Sequence, residues 1–279
     1  MKRQKLEASQ SGLLDDESID IRDILTSAVS RVPMVGGLLA EIVDPPEANA
    51  GASIIYGPER EGNFERWFRN SKVIDAKGNP KVMYHGTNSP ISEFLFEFTN
   101  KGNDQLGSGF YFTDTPSEAS GYAEDNAGNV MPVYLSVQNP LDEDQTGNLT
   151  ESQVRRFIKN APKYKQRLTD WGDVQYEGER AVLDRAVNAY TRTPEDGPLL
   201  KGLFQIANDF YGDDIQKFNE QVTKILKFDG VRSKKPYGAT HIMGFQPNQI
   251  KSIYNRGTFD PEDPDILSYR EEPIGLLSV

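Results

Sequence analysis

At 279 residues, with 37% hydrophobic and 10% aromatic side chains, the chain can hold one sizeable domain plus an appendage and is too apolar for wholesale disorder. Its 31 basic and 42 acidic residues leave a net charge of −11, which argues against a nucleic-acid backbone as main partner. It has no cysteine and two histidines, which excludes thiolate catalysis, disulfides and cysteine-ligated metals, and no metal is expected.

The first sixteen residues are polar and charged, without the apolar core and cleavage site of a secretory signal. Asp16 or Ser18 can cap a helix from Ile19, with Ile21, Ile24, Leu25, Ala28 and Val32 at helical spacing and Pro33 as its stop. A shorter apolar piece, Val35–Val43, gives way at Asp44-Pro45-Pro46 to the small-residue loop Glu47–Ser53. Arg31, Pro33, Gly36, Gly37 and Glu41 break the apolar stretch Ile24–Val43 too often for it to span a bilayer, so a soluble protein is expected. Residues 1–60 read as a partly helical arm that packs on the rest or docks on a larger assembly.

The main domain is expected over 61–279. Phe64–Phe68 forms a short amphipathic helix. Lys72–Asp75, a turn at Ala76–Pro80 and a strand Lys81–His85 carry a hairpin signature. A glycine-bearing loop, Gly102–Gly109, leads into a strand Phe110–Thr113, a helix Ser117–Ala123 and a strand Val130–Val137. A helical insertion over about 141–227 follows, with helices at Glu151–Ile158, Glu177–Tyr190, Leu199–Tyr211 and Ile215–Leu226. Strands return at Phe228–Arg232, Thr240–Phe245 and Ile250–Asn255, and Gly257–Leu267 reads as an extended strap. Irregularly spaced strands without a βαβ repeat indicate an α+β fold.

His85 ends an apolar strand, and Gly86 and Thr87 after it leave room for a ligand against the backbone. Tyr111 on one strand and Tyr122 on the helix behind it can form a slot for a flat, cationic heterocycle. Gly107-Ser108-Gly109 matches neither a P-loop nor a dinucleotide fingerprint.

In combination these pieces resemble the ADP-ribosyltransferase domains of phage and mobile-element polyvalent proteins, of the diphtheria-toxin and poly(ADP-ribose)-polymerase type. The resemblance rests on W-F-x-x-S-K-V-x-D (Trp67–Asp75), Y-H-G-T (Tyr84–Thr87), G-F-Y-F-T-D (Gly109–Asp114), F-D-G-V (Phe228–Val231), Q-I-K-S (Gln249–Ser252) and the ending Gly257–Pro261 with Pro264–Ile266. It covers about Asn63–Leu267 and implies a split β-sandwich with NAD⁺ between its sheets. His85 would bond the adenosine ribose, Gly86 would clasp the nicotinamide carboxamide with Thr87 beside it, and Tyr111 and Tyr122 would stack on the ring. Gly107, Ser108 and Gly109 would lie by the cofactor and the acceptor entrance.

The catalytic site so implied is His85, Tyr111 and the residue four before Phe245, which the family fills with a glutamate and this chain with His241. Glu177 or Glu179 of the helical block could approach the cleft instead. The implied activity is mono-ADP-ribosylation of a host protein or other macromolecule, with NAD⁺ as substrate, in the bacterial cytoplasm or packaged in a virion, where residues 1–45 would meet virion proteins. The alternative is a degenerate NAD⁺-binding or virion protein that keeps the fold.

Overall fold

The computed structural model describes residues 52–53, 57–88, 91–99, 106–123, 128–191, 197–268 and 270–271. The arm helices expected over Ile19–Val32 and Val35–Val43 lie outside the described residues. Of the loop expected at Glu47–Ser53, the last two residues form a strand, β1 (Ala52–Ser53), antiparallel to β9 (Arg270–Glu271).

Helix α1 (Pro58–Phe68) starts six residues earlier than its aromatics suggest. Pro58 presets the helical φ, and Glu59 and Glu61 sit at the positive end of the helix dipole. The helix buries Phe64, Trp67 and Phe68 against Tyr134 and Phe259, with Phe64 edge-on to both. The expected hairpin over Lys72–His85 reduces to one bridge, Ile74↔Pro80. Asp75 accepts hydrogen bonds from the amides of Lys77 and Asn79, and the Val73 amide, next in line to bond across the hairpin, goes to Ser71 Oγ instead.

The remaining strands are β2 (Met83–Thr87), β3 (Phe110–Thr113), β4 (Asn129–Leu135), β5 (Pro140–Asp142), β6 (Gly230–Lys234), β7 (Thr240–Gly244) and β8 (Ile250–Ser252). They form one seven-stranded sheet in the order β5-β6-β7-β3-β2-β4-β8, antiparallel except for β5–β6. Its ladder is uneven. β2 and β4 match at five pairs and β3 and β7 at four, whereas β2 and β3 meet only at Tyr84↔Thr113. The sheet is therefore two half-sheets joined at one pair.

Residues facing each other across strands share a face. On one face Val231 and Met243 pack with Leu141 under the helical block, which comprises α3 (Glu151–Asn160), α4 (Tyr164–Leu168), α5 (Val174–Glu177), α6 (Glu179–Thr191), α7 (Leu199–Ile206) and α8 (Ile215–Leu226). A capping box between Thr150 and Gln153 starts α3, and Asp214 caps α8. The opposite face closes over Met83, Phe112, Val133, Leu135, Ile242 and Ile250. Between β3 and β4 a short helix, α2 (Pro116–Ser120), lies on β2 and β3.

Gly257–Leu267 packs along β8 as the expected strap. Lys251, fully buried, donates through Nζ to the carbonyls of Asp263 (2.5 Å) and Asp265 (2.8 Å), while Asn255 Nδ2 donates to Ile266 O at 3.0 Å. Burial pushes the Lys251 ammonium below its ordinary range, and Asp263, Asp265 and Asp260 oppose that.

Candidate active site at the split of the sheet

His85 lies where the ladder between β2 and β3 stops. Its ring packs edge-on to Phe94 (centroids 4.9 Å) and tilted on Phe112 (5.6 Å), and its Nδ1 is 2.8 Å from the carbonyl oxygen of Tyr111. A carbonyl only accepts, so Nδ1 carries the hydrogen and Nε2 is the ring's acceptor. The imidazole thus bridges the half-sheets where backbone pairing has lapsed. Burial lowers its pKa, partly offset by the bond to Tyr111, so the neutral ring prevails near pH 7.

Gly86 is required by packing. A Cβ there would sit 1.9 Å from the carbonyl oxygen of Ala119 and 3.2 Å from Tyr122 Cβ. Helix α2 is pressed against this glycine, and Tyr122 leaves the end of α2 with 62% of its surface exposed. Thr87 closes β2 opposite Asn129.

Tyr111 is half-buried, its hydroxyl donating to Gly107 O and accepting from the Leu106 amide at 3.0 Å. Gly107 has φ +101°, and a Cβ would lie 2.6 Å from the Phe204 ring. One at Gly109 would lie 2.7 Å from Gly244 O. The buried Asn219 of α8 holds the Ser108 carbonyl at 3.0 Å. The glycines of this loop therefore answer to close packing by the helical block and β7.

On β7, His241 stands between Thr113 of β3 and Ser233 of β6 in one cross-strand row. Asp114 secures that register. It accepts from the Thr240 amide at 2.8 Å and pairs with Lys81 at 2.5 Å. The imidazole Nε2 of His241 is 2.8 Å from Oε1 of Glu118, on α2. The same carboxylate accepts from the Tyr237 hydroxyl (2.6 Å) and, through Oε2, from Thr113 Oγ1 (2.7 Å). Burial alone would raise the Glu118 pKa, but the bonds from Tyr237, Thr113 and His241 outweigh it and hold it below the ordinary range. An ionised carboxylate only accepts, so Nε2 of His241 donates. The bond to Glu118 in turn pushes the Tyr237 phenol up to about 12, with smaller contributions from burial and Tyr122.

A family model described as ADP-ribosyltransferase in polyvalent proteins matches residues 75–259. The chain belongs to that family. Comparison with curated proteins and with solved structures found no match. ADP-ribosyltransferases take NAD⁺ as substrate and pass ADP-ribose to an acceptor. The matched span of this ADP-ribosyltransferase domain takes in His85, Gly86, Tyr111, Tyr122 and His241.

Within the ADP-ribosyltransferase domain, Tyr122 stands where a side chain at Gly86 would meet it, His85 reaches Tyr111 through a backbone carbonyl, and Tyr111 is tied to the glycine loop. In regular register Tyr111 and His241 share the sheet face of the helical block, and His85 belongs to the other. Neither Glu177 nor Glu179 bonds to these residues: Glu177 pairs with Arg185, and Glu179 accepts from Tyr164. The carboxylate at His241 is Glu118, which sequence reasoning missed. A signal was present. Pro116 marks the first helical turn, and a glutamate at its third position points back toward the strand end. Among the described residues no group of three or more His, Asp or Glu side chains could hold a metal, and no helix is long and apolar enough to cross a membrane.

Proposed function

We propose that the protein is a mono-ADP-ribosyltransferase of phage or mobile-element origin that moves one ADP-ribose from NAD⁺ onto a macromolecule of a bacterial host, acting in the host cytoplasm. The observation that carries this reading is the split between β2 and β3, bridged by His85 in one tautomer. In this reading His85 Nε2 accepts a hydrogen bond from a ribose hydroxyl of NAD⁺, and the Gly86 backbone clasps the nicotinamide carboxamide. Exposed Tyr122 stacks on the nicotinamide ring, and Tyr111 with Gly107–Gly109 forms the wall behind it. The reaction passes through a ribose oxocarbenium, so catalysis consists of holding NAD⁺ and stabilising positive charge. Transfer of single units follows from the lack of a strand glutamate, which chain-elongating relatives use.

The test is to incubate the protein with ADP-ribose-labelled NAD⁺ and bacterial lysate. Nicotinamide release and labelled acceptors are expected, with both lost in His85→Ala. A second reading, an NAD⁺-binding protein without turnover, is favoured by His241 in the glutamate slot. It predicts NAD⁺ binding with no release. The docking role for residues 1–45 predicts that their deletion abolishes incorporation into virions and leaves turnover intact.

A further inference from the structure

Helix α2 brings a charged group to the slot where β7 carries His241. Glu118 is bonded to side chains of β3 (Thr113) and β7 (His241) and to Tyr237 in the β6–β7 turn. Ala119, the next residue, is the one pressed on Gly86, and Tyr122 follows three residues later. The carboxylate therefore stands on the element that also defines the glycine contact and carries an exposed tyrosine. Its side chain is 21% exposed, unlike a closed structural ion pair, and Tyr237 beside it is 69% exposed.

We propose that Glu118 is the anionic group of this active site, supplying from α2 the negative charge that the β7 strand lacks. The inference rests on the transferase reading above. In the reaction the bond between ribose C1′ and the nicotinamide nitrogen breaks, and its electron pair leaves with nicotinamide, which departs neutral. Positive charge develops at C1′ and the ring oxygen until the acceptor's lone pair bonds to C1′ and its proton passes to water. An ionised carboxylate beside that centre stabilises the cation, and His241 alone does not. Glu118 acts as a positioning residue as well. It fixes the His241 ring with Nε2–H toward the carboxylate.

The experiment measures nicotinamide release from NAD⁺ by the full chain and by Glu118→Gln, Glu118→Asp and the double variant E118Q/H241E. Glu118→Gln keeps the shape of the side chain and loses the charge, so kcat should fall roughly 100-fold with little change in KM. Glu118→Asp, which keeps the charge, should stay within roughly tenfold of wild type, and decides the matter if Glu118→Gln folds poorly. The double variant returns a carboxylate to β7 and should recover most of the lost turnover, which a merely structural role for Glu118 would not permit. Wild-type turnover with Glu118→Gln unimpaired, or a double variant as slow as the single one, overturns this inference alone. Wild-type protein that binds NAD⁺ and releases no nicotinamide overturns the transferase reading together with it.

Discussion

Two polar clusters, at Lys251 and at Glu118, lie on the same sheet and do opposite things. Lys251 belongs to the Q-I-K-S motif, yet it is fully buried with its ammonium on two backbone carbonyls of the strap. Glu118 lies in the helix expected at Ser117–Ala123 and was given no role from the sequence. It is partly open to solvent, draws on three elements, and lies beside two exposed tyrosines. A charge enclosed by carbonyls locks a fold, whereas one at a surface gap with several donors can meet a ligand. Prominence in sequence and proximity to chemistry are separate properties here.

The sharpest way to break this contrast is Lys251→Ala. It takes the donor from two part-buried carbonyls and opens a cavity where the fully buried side chain was, for a loss of about 3 kcal/mol in urea unfolding. Turnover per folded molecule should not change, and a fall in kcat at intact stability would move Lys251 into the active site. Next comes Gly86→Ala, whose new methyl must displace the Ala119 carbonyl, at about 3 kcal/mol. An unchanged melting temperature would mean that α2 is not seated on this strand.

His241→Glu, alone, places a second carboxylate against Glu118 and should cost about 1–2 kcal/mol at pH 7. One of the pair must then take up a proton to fold, so its carboxylate pKa is raised and stability returns as the pH falls toward 5. Calorimetry at the two pH values reads this directly, and a variant equally stable at both speaks against the contact. The smallest effect belongs to wild-type Glu118. Its folded pKa lies below the ordinary 4.5, so its stabilisation is present above that pH and lost as pH falls through the folded value. Solvent screening keeps this to a fraction of a kcal/mol. Glu118→Gln should flatten that acid slope, and an unaltered slope would assign it to other carboxylates.

Much of the fold was legible because the strands and helices obey local rules. Phe110–Thr113 and Ile215–Leu226 match the residues expected, the first from its aromatic run and the second from its apolar spacing behind Asp214. β5 (Pro140–Asp142) was not, since its three residues are a strand only because β6 returns beside them after the helical block. The predicted helix Leu199–Tyr211 stops being α-helical at Ile206 and continues as a π turn, a change periodicity does not carry. In the candidate site, His85, Gly86 and Tyr122 could be named from their motifs. The Nδ1–H tautomer of His85 and the partnership of His241 with Glu118 could not, because both depend on contacts between residues distant in sequence. The resemblance placed Gly107–Gly109 by the cofactor, while the tight spacing of the loop reflects Phe204, Asn219 and Gly244 crowding it.

The seat of α2 on Gly86 sets a gauge. With the Ala119 carbonyl resting where a side chain would begin, the spacing from that backbone to Glu118 and Tyr122 is measured by atomic radii across a single touch.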